Sequence, residues 1–222
     1  ERGKTEQYIG FEQKGKLITF NPKSHVRMFP SFQPEADGVT FHLKAVYTDT
    51  LRNEYSKEHS THPIRMSRIC GPVEVVNDTT FTVRFYRMGL DNPKRTGGIC
   101  LMASVKQDHK YRSAVQQVEI RIPYRNKEGI PQRIIFPKLS DVKASVKEIS
   151  LNGTADSGLP VYYYVKEGPA EIKGDKLVLT KIPPRAKFPV KVTVVAWQYG
   201  RSGEPKVQTA EAVEQSFYIT AR

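Results

Sequence analysis

Residues 157–172 read SGLPVYYYVKEGPAEI, and a matching pattern stands earlier in the chain at residues 62–75, HPIRMSRICGPVEV. Pro63 answers Pro160, Ile64 answers Val161, Gly71-Pro72 answers Gly168-Pro169, and Val75 answers Ile172, all at one offset of about 97 residues. Self-similarity at a fixed period marks a duplicated module. A chain of 222 residues accommodates two modules of about 110 residues, each able to bury a core of its own.

Composition narrows the class. Hydrophobic residues make up 38% and charged residues 26%, with no long apolar run, so neither a disordered chain nor a helical membrane span is expected. The first residues, ERGKTEQ, include neither an initiating Met nor a basic-then-apolar leader, and this predicts a processed or trimmed piece of a longer protein. A net charge of +12 and a pI near 9.6 permit attraction to nucleic acid, anionic polysaccharide or acidic lipid. The basic residues are scattered through both halves rather than bunched in one tract, which is also the pattern of an ordinary solvated surface.

Segments rich in Val, Ile, Thr, Phe and Tyr recur at short spacing between Gly, Pro, Asn and Asp, with no sustained helical period, as in an all-β sandwich. The first module reads as strands at Leu17–Phe20, Val39–Tyr47, Ile64–Ile69, Val73–Val76, Thr80–Phe85, Ile99–Lys106 and Ala114–Ile122. The second repeats the order at Arg133–Phe136, Val146–Leu151, Val161–Val165, Ala170–Ile172, Lys176–Thr180, Val190–Gln198 and Val213–Ile219. Seven strands make one immunoglobulin-like unit, so two tandem sandwiches are expected. Residues 1–128 form the first, with an N-terminal lead-in, and residues 129–222 the second. Pro123–Gln132 reads as a linker that interrupts strand pairing. Asn77-Asp78 and Gly174-Asp175 fall at matching reversals that call for positive φ. Thr5–Phe11 echoes Val213–Ile219, either as the closing strand of a further copy or as a frayed lead-in.

The second module resembles a bacterial immunoglobulin-like repeat of secreted and surface proteins, a type attached to polysaccharide-using systems of Gram-negative bacteria. The matching residues are Ile134-Ile135-Phe136-Pro137, Leu139-Ser140-Asp141-Val142, Ser157–Val161, Gly168-Pro169-Ala170, Val192–Ala196 and Val213–Phe217. The first module matches more loosely, through Ile18-Thr19-Phe20, Gly71-Pro72, Ala103 and Ala114–Gln117. The resemblance implies spacers, stalks, adhesive modules or non-catalytic appendages of enzymes, with no shared catalytic residues and no cofactor.

Few constellations carry chemistry. Cys70 ends the third strand of the first module and Cys100 begins its sixth, antiparallel neighbours in this topology. The two are expected close together, either bridged or as unlinked thiols. His59 and His62, in HSTH, lack a third ligand at metal spacing, and no hydrolase, phosphate-loop or zinc motif is found. Glu74 and Glu171 are repeat equivalents, which points to a shared strand edge rather than to acid and base roles. If Val192, Val194 and Ala196 point inward, Trp197 and Tyr199 leave on the opposite face beside Tyr162 and Tyr164. With Arg201 and Lys191 these rings would make a sugar-stacking patch, unless they pack beneath a loop. Basic residues gather at Asn92–Arg95 and Pro183–Lys187. The loop Thr48–Pro63 is longer than its counterpart Asn152–Pro160, and added length of this kind is tolerated and used for recognition.

The resulting expectation is no enzyme but an exported spacer or binding appendage of a larger polypeptide, with another surface protein or a polysaccharide as partner. Specific nucleic-acid binding, membrane insertion and a metal centre are not expected.

Overall fold

The computed structural model describes residues 3–20, 27–86 and 96–221 and contains no helix among them. The chain divides into two compact units: Glu1–Glu35, Val39–Arg84 and Thr96–Pro123 form the first, and Ala36–Gly38, Phe85–Arg95 and Tyr124–Arg222 the second.

In the first unit the strands are β1 (Tyr8–Gln13), β2 (Lys16–Ile18), β3 (Arg27–Met28), β4 (Thr40–His42), β5 (Lys44–Thr48), β6 (Arg65–Cys70), β7 (Val73–Val75), β8 (Thr80–Val83), β9 (Gly98–Val105) and β10 (Ala114–Arg121). They build the sheets β3-β10-β9-β6, β4-β8-β7 and β2-β1-β5. Strict alternation along β9 buries Ile99, Leu101, Ala103 and Val105, the period-2 pattern of a sheet covered on one face. Phe41 and Phe81 are buried from the opposite sheet, stacked with ring centroids 5.5 Å apart.

The second unit holds β11 (Ile134–Ile135), β12 (Val142–Lys143), β13 (Glu148–Ser150), β14 (Thr154–Ala155), β15 (Tyr162–Glu167), β16 (Ala170–Lys173), β17 (Lys176–Leu179), β18 (Val190–Trp197) and β19 (Val213–Thr220). Its sheets are β12-β19-β18-β15, β13-β17-β16 and β11-β14; the first two repeat the order of β3-β10-β9-β6 and β4-β8-β7, and the third has two strands where the first unit has three. Each four-stranded sheet has one parallel pairing, β3 with β10 and β12 with β19. Tyr163, Val165, Val192, Val194, Ala196, Phe217 and Ile219 fill the core between the sheets. The fold is therefore a tandem immunoglobulin-like β-sandwich.

The duplication is exact at its turn. Gly71 and Gly168 have φ of 98° and 101°. A Cβ at Gly71 would collide with the Gly98 carbonyl and the Ile99 Cα, and one at Gly168 with the Lys191 carbonyl and the Val192 Cα. Both turns are closed alike, Val73 N–H donating to Gly71 O (2.9 Å) and Ala170 N–H to Gly168 O (3.0 Å). Each preceding strand slips register at the same place, between Arg68 and Cys70 and between Val165 and Glu167.

Three local expectations are corrected. Tyr8–Gln13 is neither a further copy's last strand nor a frayed end: it pairs antiparallel with β5 and buries Ile9 and Phe11. Gly174 does take positive φ (64°) in a two-residue reversal, with Lys173 opposite Lys176. Asn77 and Asp78 do not. There the Asn77 carboxamide oxygen accepts from the N–H groups of Thr79 and Thr80, both at 2.9 Å, an Asx turn that needs no left-handed residue. The linker, expected to interrupt strand pairing, itself pairs with the second unit. Ile130 bridges Val207 in parallel, Asn126 and Gln132 are buried, and Gln132 Nε2 donates to Gln208 O at 2.7 Å.

Candidate functional site

The aromatic residues singled out in the second unit lie where the alternation places them, but they are covered. Tyr162 is the cross-strand partner of Trp197 and Tyr164 that of Val195, so these side chains stand on the face opposite the core residues Tyr163, Val165, Val194 and Ala196. Trp197 is 1% exposed, Tyr199 0% and Tyr164 6%. Phe85, part of the same unit, stands edge-on to Trp197 at 4.8 Å and tilted to Tyr199 at 6.1 Å. Tyr162 stacks on the other side of Trp197 at 5.0 Å. Burial, and then the Asp37 carboxylate, push the Tyr162 hydroxyl up to about 12. No open ring face remains at Trp197 or Tyr199 for a sugar to stack on, which corrects the expected exposed patch.

Arg201 is also occupied. Its Nε donates to Pro205 O at 2.7 Å and its Nη1 to Ala36 O at 2.9 Å, so the guanidinium serves backbone carbonyls. The Tyr199 carbonyl accepts from Asn126 Nδ2 at 2.9 Å and Thr209 Oγ1 at 2.5 Å. Lys191 and Thr193, at alternate positions of β18, share this outer face. Thr193 is nevertheless buried, its hydroxyl bonded to Glu167 Oε1 at 2.7 Å and Ser216 Oγ at 2.8 Å. The whole constellation is a packed structural element.

The first unit carries a largely exposed feature, the long loop 48–63. The loop doubles back on itself, with Thr48 bridging Tyr55 and the Asp49 carboxylate accepting from Asn53 N–H at 2.9 Å. Long-range contacts brace it. Gln7 Oε1 accepts from Ser60 N–H at 3.2 Å, the Tyr47 hydroxyl donates to His62 O at 2.6 Å, and the Tyr55 hydroxyl donates to Glu12 Oε2 at 2.6 Å. The Arg52 guanidinium lies over the rings of Tyr8 (5.1 Å) and Phe20 (4.7 Å). His59 stacks flat on Tyr47 at 4.1 Å, which gives this histidine a packing role. Among the described residues no three His, Cys, Asp or Glu side chains are grouped as a metal site.

Asp108, between β9 and β10, anchors the other side of the loop. The Ser60 hydroxyl first, and then the N–H groups of Tyr111 and Lys110, hold its carboxyl well below the usual carboxylate range. The bonded, ionised form is thus fully present above the ordinary carboxylate pKa and is lost only as pH falls through the depressed folded value. Asp108→Ala is expected to speed amide hydrogen exchange across residues 56–62 at neutral pH, whereas the parent loop loosens only in strong acid. Equal exchange in both proteins at neutral pH would show that Asp108 holds nothing. Sequence reading missed this brace, because Gln7, Ser60 and Asp108 are far apart along the chain.

Beside the loop lies a groove of about 450 Å³ lined by His62, Pro63, Arg65, Ser104, Val105, Lys106 and Ser113. Arg65 is the cross-strand partner of Ser104, the repeat equivalent of the Tyr162–Trp197 pair. One rung of the duplicated sheet is therefore aromatic and covered in the second unit, and polar and open in the first. Arg65 is bonded to Asp78 at 2.7 Å. Glu74, one of the equivalent carboxylates, is ion-paired to Arg84, and Glu171 is exposed on β16. Residues 92–95 lie outside the described residues.

Cys70 and Cys100 are cross-strand partners on β6 and β9 and are not joined by a disulfide in this structure.

No protein-family model matches the chain, and no curated protein matches it. Solved structures to which the chain is similar include human protocadherin-24 EC1-2, 12% identical over 90% of this chain and 95% of that one, with a TM-score of 0.32. Drosophila N-cadherin EC1-4 is 11% identical over 89% of this chain and 48% of its own, with a TM-score of 0.31. Mouse cadherin-23 EC22-24 is 17% identical over 97% and 65%, with a TM-score of 0.28. At such values the ligands and partners of this chain have to be read from its own residues. No helix among the described residues is long and apolar enough to cross a membrane.

Proposed function

We propose that the chain is a non-catalytic adhesion or spacer segment of a larger exported polypeptide, and that it contacts a surface-protein partner through the loop 48–63 of its first unit. The observation that carries this reading is a loop held at several points yet presenting large apolar side chains, Leu51 at 64% and Tyr55 at 50% exposed. Pre-ordered loops lose little conformational entropy on binding, and exposed aromatic and aliphatic side chains on a rigid support make effective anchors. The second copy has a shorter connection there, so the elaboration belongs to one module and is not required by the sandwich. The bacterial, polysaccharide-associated origin implied by the resemblance belongs to this proposal too.

Grafting residues 156–161, which join β14 to β15, in place of residues 49–64, which join β5 to β6, tests it. Beads carrying the parent chain are expected to bind cell surfaces in a protease-sensitive manner, and beads carrying the graft to lose that binding while keeping a cooperative melt. Undiminished binding by the graft places the contact elsewhere. Turnover of a glycoside, ester or peptide by pure protein overturns the non-catalytic reading.

A further inference from the structure

We propose that Cys70 and Cys100 form a thiol–disulfide site that oxidation closes across β6 and β9, tying the edge of the first sandwich to its centre. The two residues face each other in register. Directly opposed residues of antiparallel strands have Cα atoms about 4.5–5.5 Å apart, inside the range of about 4.4–6.8 Å that a disulfide spans.

The register slip beside Cys70 raises the question of whether the side chains still meet, and the second copy answers it. Its equivalents, Glu167 and Thr193, lie beyond the same slip and pair in the same way. Their side chains touch, Thr193 Oγ1 donating to Glu167 Oε1 at 2.7 Å. The first copy thus places two thiols where the second has a polar cross-strand tie. The close approach of Gly71 to the Gly98 carbonyl holds the two strands together at this point.

Cys70 is exposed and Cys100 partly buried, which sets the order of events. The Cys70 thiolate attacks a sulfur of a low-molecular-weight disulfide such as oxidised glutathione, forming a mixed disulfide and releasing one thiol. The Cys100 thiolate then attacks Cys70 Sγ and releases the second. Two protein thiols are oxidised, one small disulfide is reduced, and the two protons leave on the released thiols. The bridge closes a loop over residues 71–99, which contains β7 and β8.

The test equilibrates the whole chain with glutathione buffers of graded poise. Expected are loss of both titratable thiols together, a mass decrease of two hydrogens without a retained adduct, and a Cys70–Cys100 peptide under non-reducing digestion. The calorimetric transition of the first unit is expected to rise by about 10 °C or more, to fall back with dithiothreitol, and to be insensitive to poise in Cys100→Ser and Cys70→Ala. Thiols that stay titratable in the most oxidising buffer, stable glutathione adducts at either residue, or bridging between two chains would each overturn the proposal.

Discussion

Trp197→Ala is expected to lower the stability of the second unit by about 3–5 kcal/mol, the range for truncating a fully buried aromatic side chain. The ring is 1% exposed and held between Phe85 and Tyr162, so its removal leaves a cavity that both neighbours line. Trp197→Phe separates volume from polarity. The indole Nε1–H is buried with no hydrogen-bond partner in the protein, and such a group carries a desolvation penalty of about 1–3 kcal/mol. Phenylalanine removes that penalty while keeping an aromatic face, so the net loss is expected below about 1.5 kcal/mol. Calorimetric melting of the two variants beside the parent checks the pair. A solvent-facing sugar platform would give the opposite pattern, near-neutral stability and lost glycan binding. A loss under about 1 kcal/mol for Trp197→Ala would mean that the ring is not packed between its two neighbours.

The contrast at Trp197 shows where sequence reading succeeded and where it stopped. Alternation along Val190–Trp197 correctly divided Val192, Val194 and Ala196 from Trp197, because side-chain facing is a local property of an extended strand. Exposure is not local. The outer face is covered by Phe85 and approached by Ala36–Gly38, segments far away in sequence with no signature of where they pack. The same limit explains β1, whose partner β5 lies some 35 residues further on. Tyr8–Gln13 carries a strand pattern, but nothing within it names the pairing edge. By contrast the equivalence of the two Gly-Pro pairs was legible at once, since a repeat is carried by the residues themselves.

Gly71→Ala and Gly168→Ala are each expected to destabilise the unit that carries them by several kcal/mol. Two contributions add. A non-glycine residue near φ 100° costs about 1–3 kcal/mol in backbone strain, and forcing a methyl group onto a packed backbone costs about 1–3 kcal/mol more. The atoms in the way are a carbonyl oxygen and a Cα of the facing strand in both units, and neither can swing aside like the end of a side chain. Gly174→Ala is the control. Its φ is 64° and nothing lies within 4 Å of the added Cβ. The left-handed penalty of about 1–2 kcal/mol is partly offset by about 0.4–1 kcal/mol from the less flexible unfolded chain. Its net effect is expected to be about 1 kcal/mol or less. Denaturant titration followed in each unit's own transition gives the three values. The duplicated Gly-Pro marks a place where one strand's turn lies against the backbone of the next, so both penalties should be large and comparable. A mild effect at either glycine would mean that the shared residues persist there without the shared packing.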